Sequence, residues 1–229
     1  LSHILDKIEV NVKYINLTNK NLKGILNLNR FKNLKKISCS HNQLTDIDLY
    51  DLDWTLKELD CENNLITEFA EIPNTLIKLN IKSNPLKKLI FNPDSNFDSP
   101  IETLGLSDCL THLKFGWKFN HPVDNLPSEL IVLNLGDKFN CPIFKLPPKL
   151  KYLSIGDEFN KELKNLPDTL IYIDLGLNFN KELTNLPSDL YWLALSEKYT
   201  KLAQIKLPPN VAHLYLGTIF NKSHNLIKN

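Results

Sequence analysis

The chain has 229 residues, of which 42% are apolar and 23% charged, and a formal net charge of +1. So balanced a charge offers no field to steer it toward nucleic acid or an anionic membrane, and of its 27 basic residues only Arg30 carries the planar fork that reads phosphates and guanine edges. No run approaches the ~18 apolar residues that span a bilayer, so neither nucleic acid nor a membrane is expected as a partner.

Because the sequence opens at Leu1 and contains no methionine, it reads as a piece of a longer protein, ahead of which a signal or further domain could stand. Residues 1–11 place Leu1, Ile4, Leu5 and Ile8 at helical spacing, with Ser2 available as an N-cap. They predict a short amphipathic helix capping the first coil.

From Val12 a phrase L-x-x-L-x-L-x-x-N-x-L sets in. It appears as Val12, Ile15, Leu17 and Leu22, then Leu34, Ile37, Cys39, Asn42 and Leu44. Further copies are Leu56, Leu59, Cys61, Asn64 and Leu65-Ile66, then Leu76, Leu79, Ile81, Asn84 and Leu86. Alternation in x-x-L-x-L-x-x sends the apolar side chains inward and their neighbours outward, as a strand requires, so successive copies stack as parallel strands of a solenoid. Asn42, Asn64 and Asn84 fall where the strand turns away, and a buried amide there satisfies backbone groups of the bend and of the next coil. Lys20 stands in the first copy instead.

Cys39 and Cys61 share one inward slot and read as small buried hydrophobes whose pKa burial raises, not as nucleophiles. With Cys109 and Cys141 they form no C-x-x-C spacing, so neither metal nor cofactor is expected.

Between Leu86 and Leu110 the regularity breaks at Asn92-Pro93-Asp94-Ser95-Asn96 and Ser99-Pro100. Ile101, Leu104 and Leu106 suggest a strand, yet Leu110 starts the next copy nine residues after Ile101, too soon for a full coil. An irregular insertion near 87–109 is the expectation.

After it, L-x-x-[LI]-x-[LFI]-G-x-x-F-N recurs every 20 residues from Leu110, Leu130, Leu150 and Leu170, with looser copies at Leu190 and Val211. Phe119, Phe139, Phe159, Phe179, Tyr199 and Phe220 should stack as an internal spine. Gly116, Gly136, Gly156, Gly176 and Gly217 stand where the chain leaves the strand, calling for positive φ or close backbone approach. Leu-Pro pairs at 126, 146, 166, 186 and 207 suggest an extended or polyproline-like return, since so short a coil has no room for a regular helix.

The phrase from Val12 onward resembles leucine-rich repeats. The in-phase Gly, Phe-Asn and Asn-Leu-Pro signatures of Leu110 to Asn221 resemble FNIP repeats, a leucine-rich repeat subtype of amoebal and giant-virus proteins that often carry an F-box ahead of the repeats. That resemblance implies a substrate-recognition part of an F-box ubiquitin-ligase adaptor, although residues 1–11 hold no visible F-box. The 20-residue Leu-Pro period also resembles the repeat domain of bacterial secreted ubiquitin ligases, so the repeat part of a larger enzyme is the alternative, with a structural or assembly component as a third.

The fold expected is one right-handed, β-rich α/β leucine-rich repeat solenoid of about ten coils, with a parallel concave sheet and an extended or polyproline-like convex side. Its parts are a cap at 1–11, repeats of about 22 residues over 12–109 including the insertion, and FNIP-type 20-residue repeats over 110–229. No cysteine cluster marks either end as a disulfide cap, which favours an intracellular, cytoplasmic setting, the host cytoplasm if the protein is viral. Sequons at Asn16 and Asn221 point the other way but arise readily by chance in so asparagine-rich a chain.

Down the third position of each copy lie Tyr14, Lys36, Glu58, Lys78, His112, Val132, Tyr152, Tyr172, Trp192 and His213, which should form one outward stripe on the concave sheet. Its second half is aromatic. Tyr152, Tyr172, Trp192 and His213, with Tyr191 and Tyr215 on neighbouring columns, are the candidate residues for a protein partner, against the reading that they stabilise the sheet by cross-strand stacking. The first half, with Lys35, Lys36, Lys57, Glu58, Asp60, Glu62, Lys78 and Lys82, reads as a solvated surface. Six histidines spread along the solenoid assemble no base and nucleophile, so no enzyme activity is expected. A monomer is expected, with end-to-end association open at the last strand near Leu214–Leu216.

Overall fold

In the computed structural model, which describes residues 2–52, 55–196 and 198–217, the chain winds into about ten parallel coils with little helix. Helix α1 is a single turn, Ser2–Leu5. The helix expected over 1–11 contracts because Val10, Asn11 and Val12 are poor helix formers and an isolated helix this short does not offset its own nucleation cost. Its apolar spacing still serves, since Leu5 is buried and Ile4, Ile8 and Val12 pack on the core. Leu1, Phe220 and Asn221, named in the sequence patterns, lie outside the described residues.

Fourteen short strands succeed it among the described residues: β1 (Tyr14–Asn16), β2 (Lys23–Asn27), β3 (Lys36–Ser38), β4 (Gln43–Asp48), β5 (Glu58–Asp60), β6 (Glu68–Ile72), β7 (Lys78–Asn80), β8 (Lys88–Phe91), β9 (His112–Lys114), β10 (Val132–Asn134), β11 (Tyr152–Ser154), β12 (Tyr172–Asp174), β13 (Trp192–Leu195) and β14 (His213–Leu216). They form a first sheet in the order β1-β3-β5-β7, a small pair β2-β4, and a second sheet of eight strands from β6 and β8 through β9 to β14.

The order contains a switch. Strand β9 pairs with β8, Lys88 opposite His112, and not with β7. The L-x-x-L-x-L phrase therefore builds the first sheet as far as Leu79 and the second sheet from Leu110 onward. The nine residues from Ile101 to Leu110 cross half a coil, which is why they are too few for a whole one. From Lys88 to His112 the register advances 24 residues, against 20 for each step from His112 to Trp192. The excess is four residues, so the region of 87–109 is a slightly long coil containing β8 and not an irregular insertion.

The strand suggested over Ile101–Leu106 is a 3-10 turn, Ile101–Thr103, preceded by Pro100 at φ −55°. Its C-terminal neighbour Leu104 nevertheless accepts from Ile81 N at 3.0 Å. That bond continues the series in which Cys39 N bonds Asp60 O and Cys61 N bonds Asn80 O. The first side of the solenoid thus runs past the switch without a regular strand.

Two side-chain ladders hold the coils at their corners. Asn64, almost wholly buried, accepts from Leu44 N at 2.9 Å and donates to Cys39 O and Cys61 O at 3.1 and 3.0 Å. Asn42 and Asn84 repeat this geometry, each tying its own bend to the preceding coil, not the following one. Farther on, the Asn of each Phe-Asn pair accepts from the backbone N–H of its successor: Asn120 from Asn140, Asn140 from Asn160 and Asn160 from Asn180, at 2.9 to 3.1 Å. Thr200 N closes this second ladder on Asn180.

Inside, Phe119, Phe139, Phe159, Phe179 and Tyr199 stack at 6.0 to 6.3 Å between ring centroids. The spine starts earlier than the repeat phrase suggested, because Phe91, Phe97 and Phe115 stack below Phe119. A methyl group at Gly156 would strike the carbonyl oxygen of Gly136, and one at Gly176 that of Gly156, so this column is glycine because neighbouring coils touch backbone to backbone. On the return side of these coils the chain is extended, with a single bridge, Ile143 to Leu163, among the described residues. Each Leu-Pro opens a turn into the next strand: Pro127, Pro147, Pro167, Pro187 and Pro208 accept from the N–H three residues on.

Candidate functional site

Strands β11 to β14 carry the aromatic candidates in register: Tyr152 opposite Tyr172, Tyr172 opposite Trp192, Trp192 opposite His213. Parallel pairing with no residue shift forces the same face on every ring. Tyr152 and Tyr172 lie 6.3 Å apart between centroids, Tyr172 and Trp192 5.9 Å, and Trp192 and His213 4.9 Å. Tyr191, 52% exposed, meets His213 edge-on at 5.1 Å, and its hydroxyl lies 3.3 Å from His213 Nε2. Tyr215, 42% exposed, stands opposite Ala194, which is fully buried.

Burial, aided by the negative charge of Asp174, pushes the Tyr172 hydroxyl up to about 12. At the foot of the row, burial and then Lys88 and Lys114 lower the pKa of His112, which therefore stays neutral at pH 7. The Trp192 indole N–H is buried and has no acceptor among the described residues.

The single stripe expected from Tyr14 to His213 does not exist. Tyr14, Lys36, Glu58 and Lys78 belong to the first sheet, whereas His112 and everything after it belong to the second, above Lys88. The physical cause is the half-coil shift of the repeat phrase at residues 81–110. Val132 also leaves the outward set, being buried. The charged half on the first sheet is internally paired: Glu58 bridges Lys36 and Lys78 at 3.0 and 3.3 Å, which lowers its carboxyl pKa. A groove of roughly 560 Å³ lies over these residues, walled by Ser99, Pro100 and Thr103.

Cys39 and Cys61 are fully buried. Burial, then Asp60, pushes the Cys39 thiol up to about 12, and burial, Cys39 and Asp60 push Cys61 well up, so both remain neutral thiols without nucleophilic character. Among the described residues no three His, Cys, Asp or Glu side chains gather as a metal ion would need, and no helix is long and apolar enough to cross a membrane.

One repeat unit is hidden in the sequence. Phe97-Asp98-Ser99-Pro100 stands 22 residues before Phe119-Asn120-His121-Pro122. Phe97 joins the spine and Asp98 Oδ1 accepts from Asn120 N at 3.0 Å, the place an asparagine holds in later coils. The acid in place of the amide masks it, although the Phe and Pro spacing is visible.

The family profile described as FNIP Repeat matches residues 97–138, 119–158 and 139–178, starting at this same Phe97 unit. No curated protein matches the chain in sequence. Among solved structures, similarity is found to CroV588, described as a circular leucine-rich repeat protein, at 24% identity over 88% of this chain and 38% of that one, with a TM-score of 0.45. YopM from Yersinia enterocolitica is similar at 18% identity over 90% of this chain and 63% of its own, with a TM-score of 0.31. The functional domain of InlJ from Listeria monocytogenes, which includes a cysteine ladder, is similar at 17% identity over 90% and 58%, with a TM-score of 0.34. The chain spans less than two thirds of the length of each. Residues 97–178 thus match the FNIP Repeat profile, and they are set in a parallel-strand solenoid.

Proposed function

We propose that the chain is a protein-recognition module whose partner docks on the aromatic row of the second sheet. The observation that carries this reading is the unbroken, in-register run Tyr152, Tyr172, Trp192 and His213, flanked by the exposed Tyr191 and Tyr215. Large rings bury much area with few rotatable bonds, and the half-buried Tyr152, Tyr172 and Trp192, together with the exposed Tyr191, His213 and Tyr215, present aromatic surface of the kind that marks interaction sites.

Affinity capture tests it, comparing the chain with a Tyr152→Ser, Tyr172→Ser, Trp192→Ser variant whose fold is checked by circular dichroism. Loss of one partner from the folded variant supports the reading. Equal capture by both assigns the rings to sheet stability.

The FNIP match supports a finer proposal: an intracellular adaptor whose repeats select substrates for a ubiquitin ligase. The full-length protein would then co-purify with ligase subunits, and their absence would remove the adaptor role while leaving recognition intact. The working unit in this proposal is a monomer, which light scattering across concentration checks.

A further inference from the structure

On the side of the solenoid that carries the aromatic row, each coil contributes one strand: β2, β4, β6, β8 and then β9 to β14. Hydrogen bonding runs from strand to strand along that side except at one place. Strand β4 pairs with β2, and β6 pairs with β8, but β4 and β6, which belong to successive coils, do not pair with each other. The two coils touch at the start, where Leu65 N donates to Leu44 O at 2.8 Å. Beyond that bond they part, and a cleft of about 470 Å³ opens, lined on one side by residues 45–50 and on the other by residues 67–70.

Both walls are free strand edges. Alternate residues of a strand turn their main-chain groups to opposite sides. Thr67 O accepts from Lys87 N and Lys88 N, so Thr67 faces β8 and the main-chain groups of the next residue, Glu68, face the cleft. Across it, the Ile47 N–H is held by the side chain just before it, Asp46 Oδ1 at 2.8 Å, where an interior strand would offer a carbonyl. The carboxylates around the cleft are occupied: Asp46 by that N–H, Asp48 by the amides of Asn27 and Asn29, and Glu68 by Lys88. Recognition here falls to the main chain and not to charge.

Strand geometry, with a rise of about 3.3 Å, neighbours about 4.8 Å away and packed sheets about 10 Å apart, gives one residue roughly 160 Å³. The cleft therefore holds about three residues of extended chain. That is the length of β9, β10, β11 and β12.

We infer that this gap receives one extended strand from a partner protein, which enters between β4 and β6, bonds to both edges and makes the wall continuous. Unpaired edges are templates for such addition. Guest side chains that point inward come level with Ile47 and Phe69, both buried, and are apolar; those between them face solvent beside the exposed Thr45 and Thr67, and are polar. The site is separate from the aromatic row and does not depend on the role proposed for it.

The test is selection of phage-displayed random 12-residue peptides on the full chain carrying Tyr152→Ser, Tyr172→Ser and Trp192→Ser, so that the row supplies no binding. Enriched peptides are expected to alternate apolar and polar residues. Amide hydrogen exchange read by mass spectrometry then locates the guest: a saturating selected peptide should slow exchange about tenfold or more in both 45–49 and 67–70. N-methylation of the peptide at alternate residues should weaken binding roughly tenfold in either phase, because a strand held from both sides donates to both. Should the serine variant fail to fold, the parent chain serves as bait and the exchange map separates the cleft from the row. No enrichment, protection of one edge or neither, or binding that survives N-methylation in either phase would overturn the inserted strand. Failure of the row in its own capture experiment would leave it standing.

Discussion

Trp192 illustrates how one side chain serves two demands that conflict. Its ring bridges Tyr172 and His213 in the row, while its indole N–H lies buried without an acceptor among the described residues, a cost of about 1 to 3 kcal/mol in proteins generally. Trp192→Phe keeps a stacked ring and removes the orphan donor, so stability in urea should stay within about 1 kcal/mol of the parent despite the lost area. Gly156 tolerates no such change: a methyl there meets the Gly136 carbonyl, and Gly156→Ala should cost about 3 kcal/mol or more, read from the same urea curves. Tyr172 adds a pH signature. A phenol that holds its proton more tightly when folded contributes stability in full below its ordinary pKa near 10, and loses it as pH climbs toward about 12. About 1 kcal/mol of that loss, after allowance for the exposed part of the ring, should vanish in Tyr172→Phe when urea midpoints at about pH 9 and pH 11.5 are compared. Much of this scale was legible beforehand. The buried cysteines, the corner asparagines and the glycine column follow from alternation and from coil spacing, whereas the orphan indole depends on atomic packing that no spacing encodes.

At the scale of elements, three-residue strands are too short to stand alone, and what holds them is the side-chain ladder at each corner. Asn64 is the test case, making four hydrogen bonds of 2.9 to 3.3 Å from a nearly sealed site. Asn64→Ala leaves backbone groups of two coils unpaired and should destabilise by about 2 to 4 kcal/mol, well above the effect of an exposed substitution such as Asn33→Ala. Strands, their direction and the inward columns were readable because a period of two residues within a period of 20 has few physical solutions. The helix expected over 1–11 and the strand expected over Ile101–Leu106 were not, since both depended on short apolar spacings that a single turn and a 3-10 turn satisfy equally well.

For the molecule as a whole, the switch between sheets decides which residues can act together. The sequence shows the same phrase before and after residues 81–110, and nothing in that phrase says which side of the coil it faces; only the pairing of Lys88 with His112 does. The charged residues Lys36, Glu58 and Lys78 and the aromatic row therefore lie on different sheets. Lys36→Glu with Lys78→Glu should leave partner capture by the row unchanged, in contrast to a single stripe, where reversal of two charges would be felt along its length.

The four extra residues between Lys88 and His112 also bear on how such a chain can lengthen or shorten over generations. Duplicating or deleting a 20-residue unit within 110–200 carries leucine onto leucine, glycine onto glycine and ring onto ring. The stack grows or shrinks by one rung, and the rings of the row simply gain or lose a neighbour. A recombination joining a unit from before the switch directly to one after it, without the longer coil, would set the leucines of one block against the return side of the other. Each block can vary its copy number freely on its own side, while the junction between them is inherited as a single piece.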